Sequence, residues 1–301
     1  MGYEGARLGV TMAVLDSFPL TNRRRRGSRR RPTATLLIVA AVFFAGCKPQ
    51  EPAVGESAPV TGKAPVNNIE LYYEVHGEGS PLVLLHGGLG HSGHWDKQLP
   101  ALSEHYKVIA VDSRGHGRST MSEQPISYAL MASDIIALMD YLDIGKANVV
   151  GWSDGGNIGL YLAINQPGRL VKLVASGANY HPSGVRPDVG ENEKIGAYIE
   201  KAAKDYQGLS PNPTRWDAFL GNIGQMWGSE PQFTDEELGS IAVPVLLLDG
   251  ENDEAIFTEH TREMARLIPT ATITFVPETG HFGMWEKPEE INRAILDFLA
   301  N

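Results

Sequence analysis

Cysteine is nearly missing from this chain: Cys47 is the only one in 301 residues. A single thiol excludes an intramolecular disulfide, so the fold must be held by its core alone. Long hydrophobic runs are missing too, since the apolar stretch 36–46 is too short to span a bilayer comfortably. Basic residues are scarce once the N-terminal block is passed. Residues 1–46 hold eight arginines and two acids, which leaves 18 basic and 34 acidic side chains and a formal net charge of −16 for the remainder. A domain so acidic does not seek nucleic acid or anionic lipid by electrostatics. No internal repeat and no phosphate-binding glycine motif is present to imply a nucleotide cofactor.

What is present is the composition of one sizeable globular domain, 42% hydrophobic and 21% charged. From Leu82 onward the periodicity alternates between strand and helix. Segments 81–85 and 108–111 read as strands, 128–142 as a helix, 147–150 as a strand, and 157–165 as a helix stopped by Pro167. Segments 243–249 and 271–276 read as further strands. This alternation predicts an α/β fold with a mostly parallel sheet covered on both faces. The rhythm breaks at about 180–240, where Pro182, Pro187, Pro211 and Pro213 flank two predicted helices, 193–206 and 215–227. An insertion there, between two sheet strands, reads as a helical cap over the strand ends. Its aromatics Trp216 and Trp227 are candidates to line a substrate pocket, with packing between cap helices as the equal alternative.

The run Gly151, Trp152, Ser153, Asp154, Gly155, Gly156 lies between a predicted strand and a predicted helix. A sharp turn of that kind pushes the central hydroxyl out of the sheet, and Gly151 and Gly155 let the neighbouring chains approach. Ser153 is therefore the candidate nucleophile. A serine hydroxyl is a poor nucleophile at neutral pH and needs a base. His281 follows the 271–276 strand in the loop Thr279, Gly280, His281, Phe282, and is the candidate base. Asp253, in the polar turn after the 243–249 strand, is the candidate acid that orients it, with Asp249, Glu251 and Glu254 as neighbouring carboxylates. An oxyanion site is expected at the N–H groups of Gly88 and Asp154, because the glycines after His86 leave a backbone donor unobstructed. The Asp154 side chain has two readings, a partner for a substrate ammonium group or a first-turn helix acid facing solvent. His86, His91 and His94 lie close in sequence, but no acidic shell surrounds them there. His86 is expected to fix its loop by hydrogen bonds, and no metal site is expected.

These motifs resemble the α/β-hydrolase superfamily over nearly everything from about Val66 to Asn301. Residues 68–79 look like its opening hairpin, and Asp112, Arg114, Gly115, Gly117 and Ser119 match its D-x-R-G-x-G-x-S turn, which makes Arg114 and Ser119 scaffold. The elbow together with 172–179 is similar to the valacyclovir hydrolase (biphenyl hydrolase-like) subgroup. That resemblance implies a carboxylic ester hydrolase, with α-amino acid esters among its substrates.

The N-terminus reads separately. The block 22–31 is strongly basic, the apolar run follows, and Phe44, Ala45, Gly46 and Cys47 resemble a bacterial lipobox with Phe in place of the preferred Leu. The expected organisation is a lipoprotein-type signal over 1–46, a flexible tether over 47–65 and the hydrolase domain over 66–301. Cys47 would be lipidated and tether the protein to a bacterial envelope membrane. The expected activity is hydrolysis of small carboxylic esters through an acyl-enzyme on Ser153, with no cofactor. The rivals are cofactor-free perhydrolase or haloperoxidase-like chemistry on the same residues, and a non-catalytic surface lipoprotein that binds a ligand or partner. No oligomeric state follows from the sequence.

Overall fold

The computed structural model describes residues 59–301, so the signal, Cys47 and most of the tether lie outside the described residues. An eight-stranded sheet organises the chain, in the order β1-β2-β4-β3-β5-β6-β7-β8. Its strands are β1 (Val60–Val66), β2 (Ile69–His76), β3 (Ser80–Leu85), β4 (Tyr106–Val111), β5 (Ala147–Trp152), β6 (Leu170–Ser176), β7 (Val245–Gly250) and β8 (Ala271–Val276). β1 and β2 form an antiparallel hairpin turned at Asn67 and Asn68, both at positive φ. β2 joins β4 antiparallel, and every other pairing is parallel.

Helices cover both faces, as a parallel sheet requires. Strand β3 shows why: Val83 and Leu85 point into one core, Leu82 and Leu84 into the other. The first core is closed by α2 (Tyr128–Tyr141), α3 (Asp154–Asn165) and α7 (Thr258–Leu267). The second is closed by α1 (Leu99–Ser103), α8 (Gly283–Glu286) and α9 (Pro288–Ala300). Between β6 and β7 come α4 (Glu193–Leu209), α5 (Trp216–Ser229) and the short α6 (Asp235–Gly239). The two long inserted helices start where the sequence places them, within a residue. Asn192 caps α4, its side chain accepting from the N–H groups of Lys194 and Ile195.

Two boundaries differ. The opening hairpin, expected over 68–79, is β1 and β2 over 60–76. The expected tether runs to residue 65, but β1 begins at Val60 and lies along β2, with Ala64 and Val66 buried. Only the last alternate residues of β1 are apolar and inward, so its pattern is too short to register as a strand without its partner.

Candidate active site

The β5-to-α3 turn delivers Ser153 at φ 53° and ψ −118°, a left-handed backbone that a non-glycine residue adopts only under constraint. The constraint is visible on both sides. The Ser153 N–H donates to the carbonyl of Ser176 on β6 at 2.7 Å. A Cβ at Gly151 would collide with the carbonyl of Gly155, and one at Gly155 with that of Leu85. The two glycines are thus required by close approach of three backbones.

Ser153, His281 and Asp253, separated by up to 128 residues, meet at the ends of β5, β8 and β7. Asp253 Oδ2 lies 2.8 Å from His281 Nδ1, and Ser153 Oγ lies 3.1 Å from His281 Nε2. A carboxylate at Nδ1 fixes the proton there, so Nε2 accepts from the serine hydroxyl. The other oxygen of Asp253 accepts from the N–H groups of Ala255 and Ile256, at 2.6 and 2.7 Å, which hold the carboxylate in its orientation. Burial opposes charge on His281. The Asp253 carboxylate, by its charge and hydrogen bond, outweighs that and raises the imidazole above its ordinary pKa. Burial likewise opposes the Asp253 charge, and His281 outweighs it and holds that carboxyl below the usual range. Among the neighbouring carboxylates, Asp249 accepts from Thr261 Oγ1 and Gly250 N. Burial and the charge of Asp253 push it well above the carboxylate range. Glu254 Oε2 accepts the His281 N–H at 2.8 Å and braces the loop.

The loop after β3 lies against the elbow. His86 Nδ1 donates to the Gly87 carbonyl at 2.8 Å while its Nε2 accepts from Ser113 N at 3.0 Å. Burial lowers its pKa to about 4, so it remains neutral and works as a loop fastener. Arg114 is scaffold: its guanidinium grips Asp134 through Nε and Nη2 at 2.8 and 2.7 Å, both groups being fully buried. Ser119 is scaffold too, donating to the Asp112 carbonyl and accepting from Tyr72 N.

Asp154 corrects one reading. Its side chain does not face solvent. It is buried, accepting from Tyr128 Oη at 2.8 Å and from Trp227 Nε1 at 2.9 and 3.0 Å. Burial pushes its pKa up to about 6, against the pull of Trp227 and Tyr128. A side chain at Gly88 would run into Asp154 Oδ2 and the Trp227 ring, so glycine is needed there. Trp227 therefore stands at the site wall. Trp216, also expected as a substrate contact, instead packs inside the cap against Tyr206 and Phe219, with ring centroids 5.5 and 6.0 Å away. Its position in the first turn of α5 puts it three turns from Trp227.

Sequence reasoning missed the cap residues that reach back to the sheet. Tyr198 on α4 donates to the Gly88 carbonyl at 2.6 Å. Lys194 pairs with Glu286 at 2.6 Å, and Glu286 in turn accepts from Gly280 N beside His281. Nothing local marks them, because each partner is about 90 or more residues away. The histidines after β3, which lack an acidic shell in sequence, gain an acid in space, where Asp205 of α4 stands beside His91 and His94.

A sheet of this strand order, with a serine elbow after β5 and a helical insertion after β6, is the α/β-hydrolase architecture. The chain belongs to the α/β-hydrolase family, whose family model, described as Alpha/beta hydrolase family, matches residues 82–294. It is 34% identical over 258 residues to "Putative carbamate hydrolase RutD" of Caulobacter sp. (strain K31), covering 76% of this chain and 96% of that protein. Among solved structures it is similar to the enol-lactonase from Burkholderia xenovorans LB400, with a TM-score of 0.65 at 25% identity, covering 79% of this chain and all of that one. It is equally similar to the carboxylesterase CesB (YbfK) from Bacillus subtilis, with a TM-score of 0.65 at 25% identity over 81% of this chain and 92% of that one. These relationships support a hydrolytic role. Among the described residues, no helix is long and apolar enough to cross a membrane.

Proposed function

We propose that the protein is a serine carboxylic ester hydrolase. The observation that carries the reading is the hydrogen-bonded line from Ser153 Oγ through His281 to Asp253 beneath a backbone turn that exposes the serine. In the first step Ser153 Oγ attacks the ester carbonyl carbon as its proton passes to His281 Nε2. The carbonyl oxygen takes the electron pair and is held by the Gly88 and Asp154 N–H groups. Collapse of that intermediate breaks the bond to the leaving alcohol, which takes the proton from His281 and leaves an acyl-Ser153. Water, deprotonated by His281, then attacks the acyl carbon and restores the serine.

Within that class, aryl esters and amino acid esters are the first substrates. The resemblance to the valacyclovir hydrolase subgroup and the buried Asp154 both favour the amino acid esters. Among the described residues the carboxylate is held by two neutral donors and pairs with no lysine or arginine, which leaves its charge for a substrate ammonium. A carbamate shares the carbonyl chemistry, and the relatives so named make it the second class to assay. The test is turnover of aryl, aminoacyl and carbamate substrates by the protein and by Ser153→Ala, with peroxide added in a parallel series. Ester turnover lost in the variant supports the reading. Peracid formation that outpaces hydrolysis would move the perhydrolase reading ahead, and no turnover by a folded protein would favour a binding role.

The anchor at Cys47 belongs to the same proposal and rests on the sequence pattern of its signal. Incorporation of a clickable fatty acid into the full chain, lost in Cys47→Ser, is the expected result; equal incorporation in both chains would remove the anchor.

A further inference from the structure

His91 and His94 were left without a role by the hydrolytic chemistry, yet their rings are packed together, tilted by 49° with centroids 4.3 Å apart. They stand on the loop that follows β3 and carries Gly88. The third group, Asp205, lies more than 100 residues further along the sequence, on cap helix α4. Its Oδ2 lies 3.5 Å from His91 Nε2 and 3.6 Å from His94 Nε2, and one ligand atom from each of the three lies within 4.8 Å of the others.

These separations carry chemical information. Metal–nitrogen and metal–oxygen bonds of about 2.0–2.2 Å at tetrahedral angles put neighbouring ligand atoms about 3.3–3.6 Å apart. Both nitrogen-to-oxygen edges match that spacing, which is too long for good hydrogen bonds. A second observation is independent of the cluster's shape. His94 is only 3% exposed, and neither of its ring nitrogens has a hydrogen-bond partner among the described residues. A buried imidazole normally satisfies at least one nitrogen, and here Nε2 is aimed at the gap between His91 and Asp205.

We propose that His91, His94 and Asp205 form a binding site for a divalent transition ion of borderline softness, with Zn²⁺ as the best match to two imidazoles and one carboxylate. The fourth position is left to water. The ion would bridge the loop after β3 to α4, beside Tyr198, which on the same helix packs its ring against His94 and donates to Gly88. It would therefore clamp the cap to the sheet, separately from the Ser153 chemistry.

Two features set the affinity. Lys201 pairs with the same Oδ2 of Asp205, one helical turn away, and must swing aside; its side chain is half exposed and free to do so. Gly93 N–H donates to His91 Nδ1 at 3.1 Å, so ligation through Nε2 moves the ring proton to Nδ1 and gives up that bond. Both make the site weaker than a closed structural zinc site, and the first makes Lys201 a diagnostic.

The test is equilibrium dialysis of the full chain against ZnCl₂, with bound metal read by mass spectrometry and folding checked by circular dichroism. One saturable equivalent is expected, weakened at least 10–100-fold in both His94→Gln and Asp205→Asn, since loss of even an outer-shell partner costs about that much. Lys201→Met should bind several-fold more tightly, while Cys47→Ser and His281→Ala should keep the equivalent. No saturable uptake, unchanged uptake in Asp205→Asn, looser binding in Lys201→Met, or loss on removing His281 or Cys47 would each overturn the site.

Discussion

Trp227 Nε1, on a cap helix, donates to both oxygens of Asp154, the residue that follows Ser153 in the elbow. The cap is thus hydrogen-bonded to the first turn of the nucleophile helix, and the carboxylate that receives it is shielded from water. Burial raises that carboxyl to about 6 from an ordinary value of 3.8. The sign follows from proton binding: between these two values the folded state holds more protons than the unfolded chain, so this group makes stability fall as pH rises through that window. Asp154→Asn is expected to flatten the fall in melting temperature between about pH 4 and pH 6. A pH dependence of Tm identical to that of the parent would remove Asp154 as its source.

Asp253 raises the pKa of His281, and the base must be neutral to accept the serine proton. Activity should therefore rise with pH through a midpoint above the ordinary histidine value of 6.5. Asp253→Asn removes the charge that raises it and frees the wrong tautomer. A loss on the order of 10³–10⁴-fold in kcat is expected, with the midpoint moving to lower pH. Asp249→Asn, at a carboxyl held by Thr261 and Gly250 rather than by His281, should keep most of the rate, and the reverse order of effects would reassign the acid.

Tyr198 hydrogen-bonds the loop after β3 through the Gly88 carbonyl. Tyr198→Phe keeps the ring packed against Trp152 and Phe282 and removes one hydroxyl. A fall of roughly tenfold in kcat with little change in KM is expected, smaller than the loss of an oxyanion donor itself. Equal changes in kcat and KM would place Tyr198 in substrate binding instead.

Much of the fold was legible because the parallel strands are short apolar runs with clear turn signals between them. Strand β8 falls where the alternation of 271–276 puts it, and the elbow serine, its histidine and Asp253 come in the order expected. What escaped the sequence is what depends on distant partners. β1 is legible only beside β2, and Asp154 looks like a solvent-facing helix acid until Tyr128 and Trp227 are placed around it. Asp205 is 111 residues from His94 and becomes its neighbour only when α4 folds over the sheet.

Arg114 and Asp134 form a buried pair with two short hydrogen bonds, and Asn67 adds a third to the carboxylate. Removing the cation leaves a buried acid with too few donors. Arg114→Met should cost about 3–5 kcal/mol in chemical denaturation, while Arg114→Met with Asp134→Leu should recover part of it. A single variant as stable as the parent would mean that the pair is replaceable without its partner.

The most direct test of the account is a fluorophosphonate probe on the folded protein, read by intact mass and peptide mapping. One adduct is expected, on Ser153, absent from Ser153→Ala and suppressed in His281→Ala, because only a serine with a base at Nε2 distance attacks phosphorus at neutral pH. No adduct, or an adduct on another residue that persists in Ser153→Ala, would contradict it.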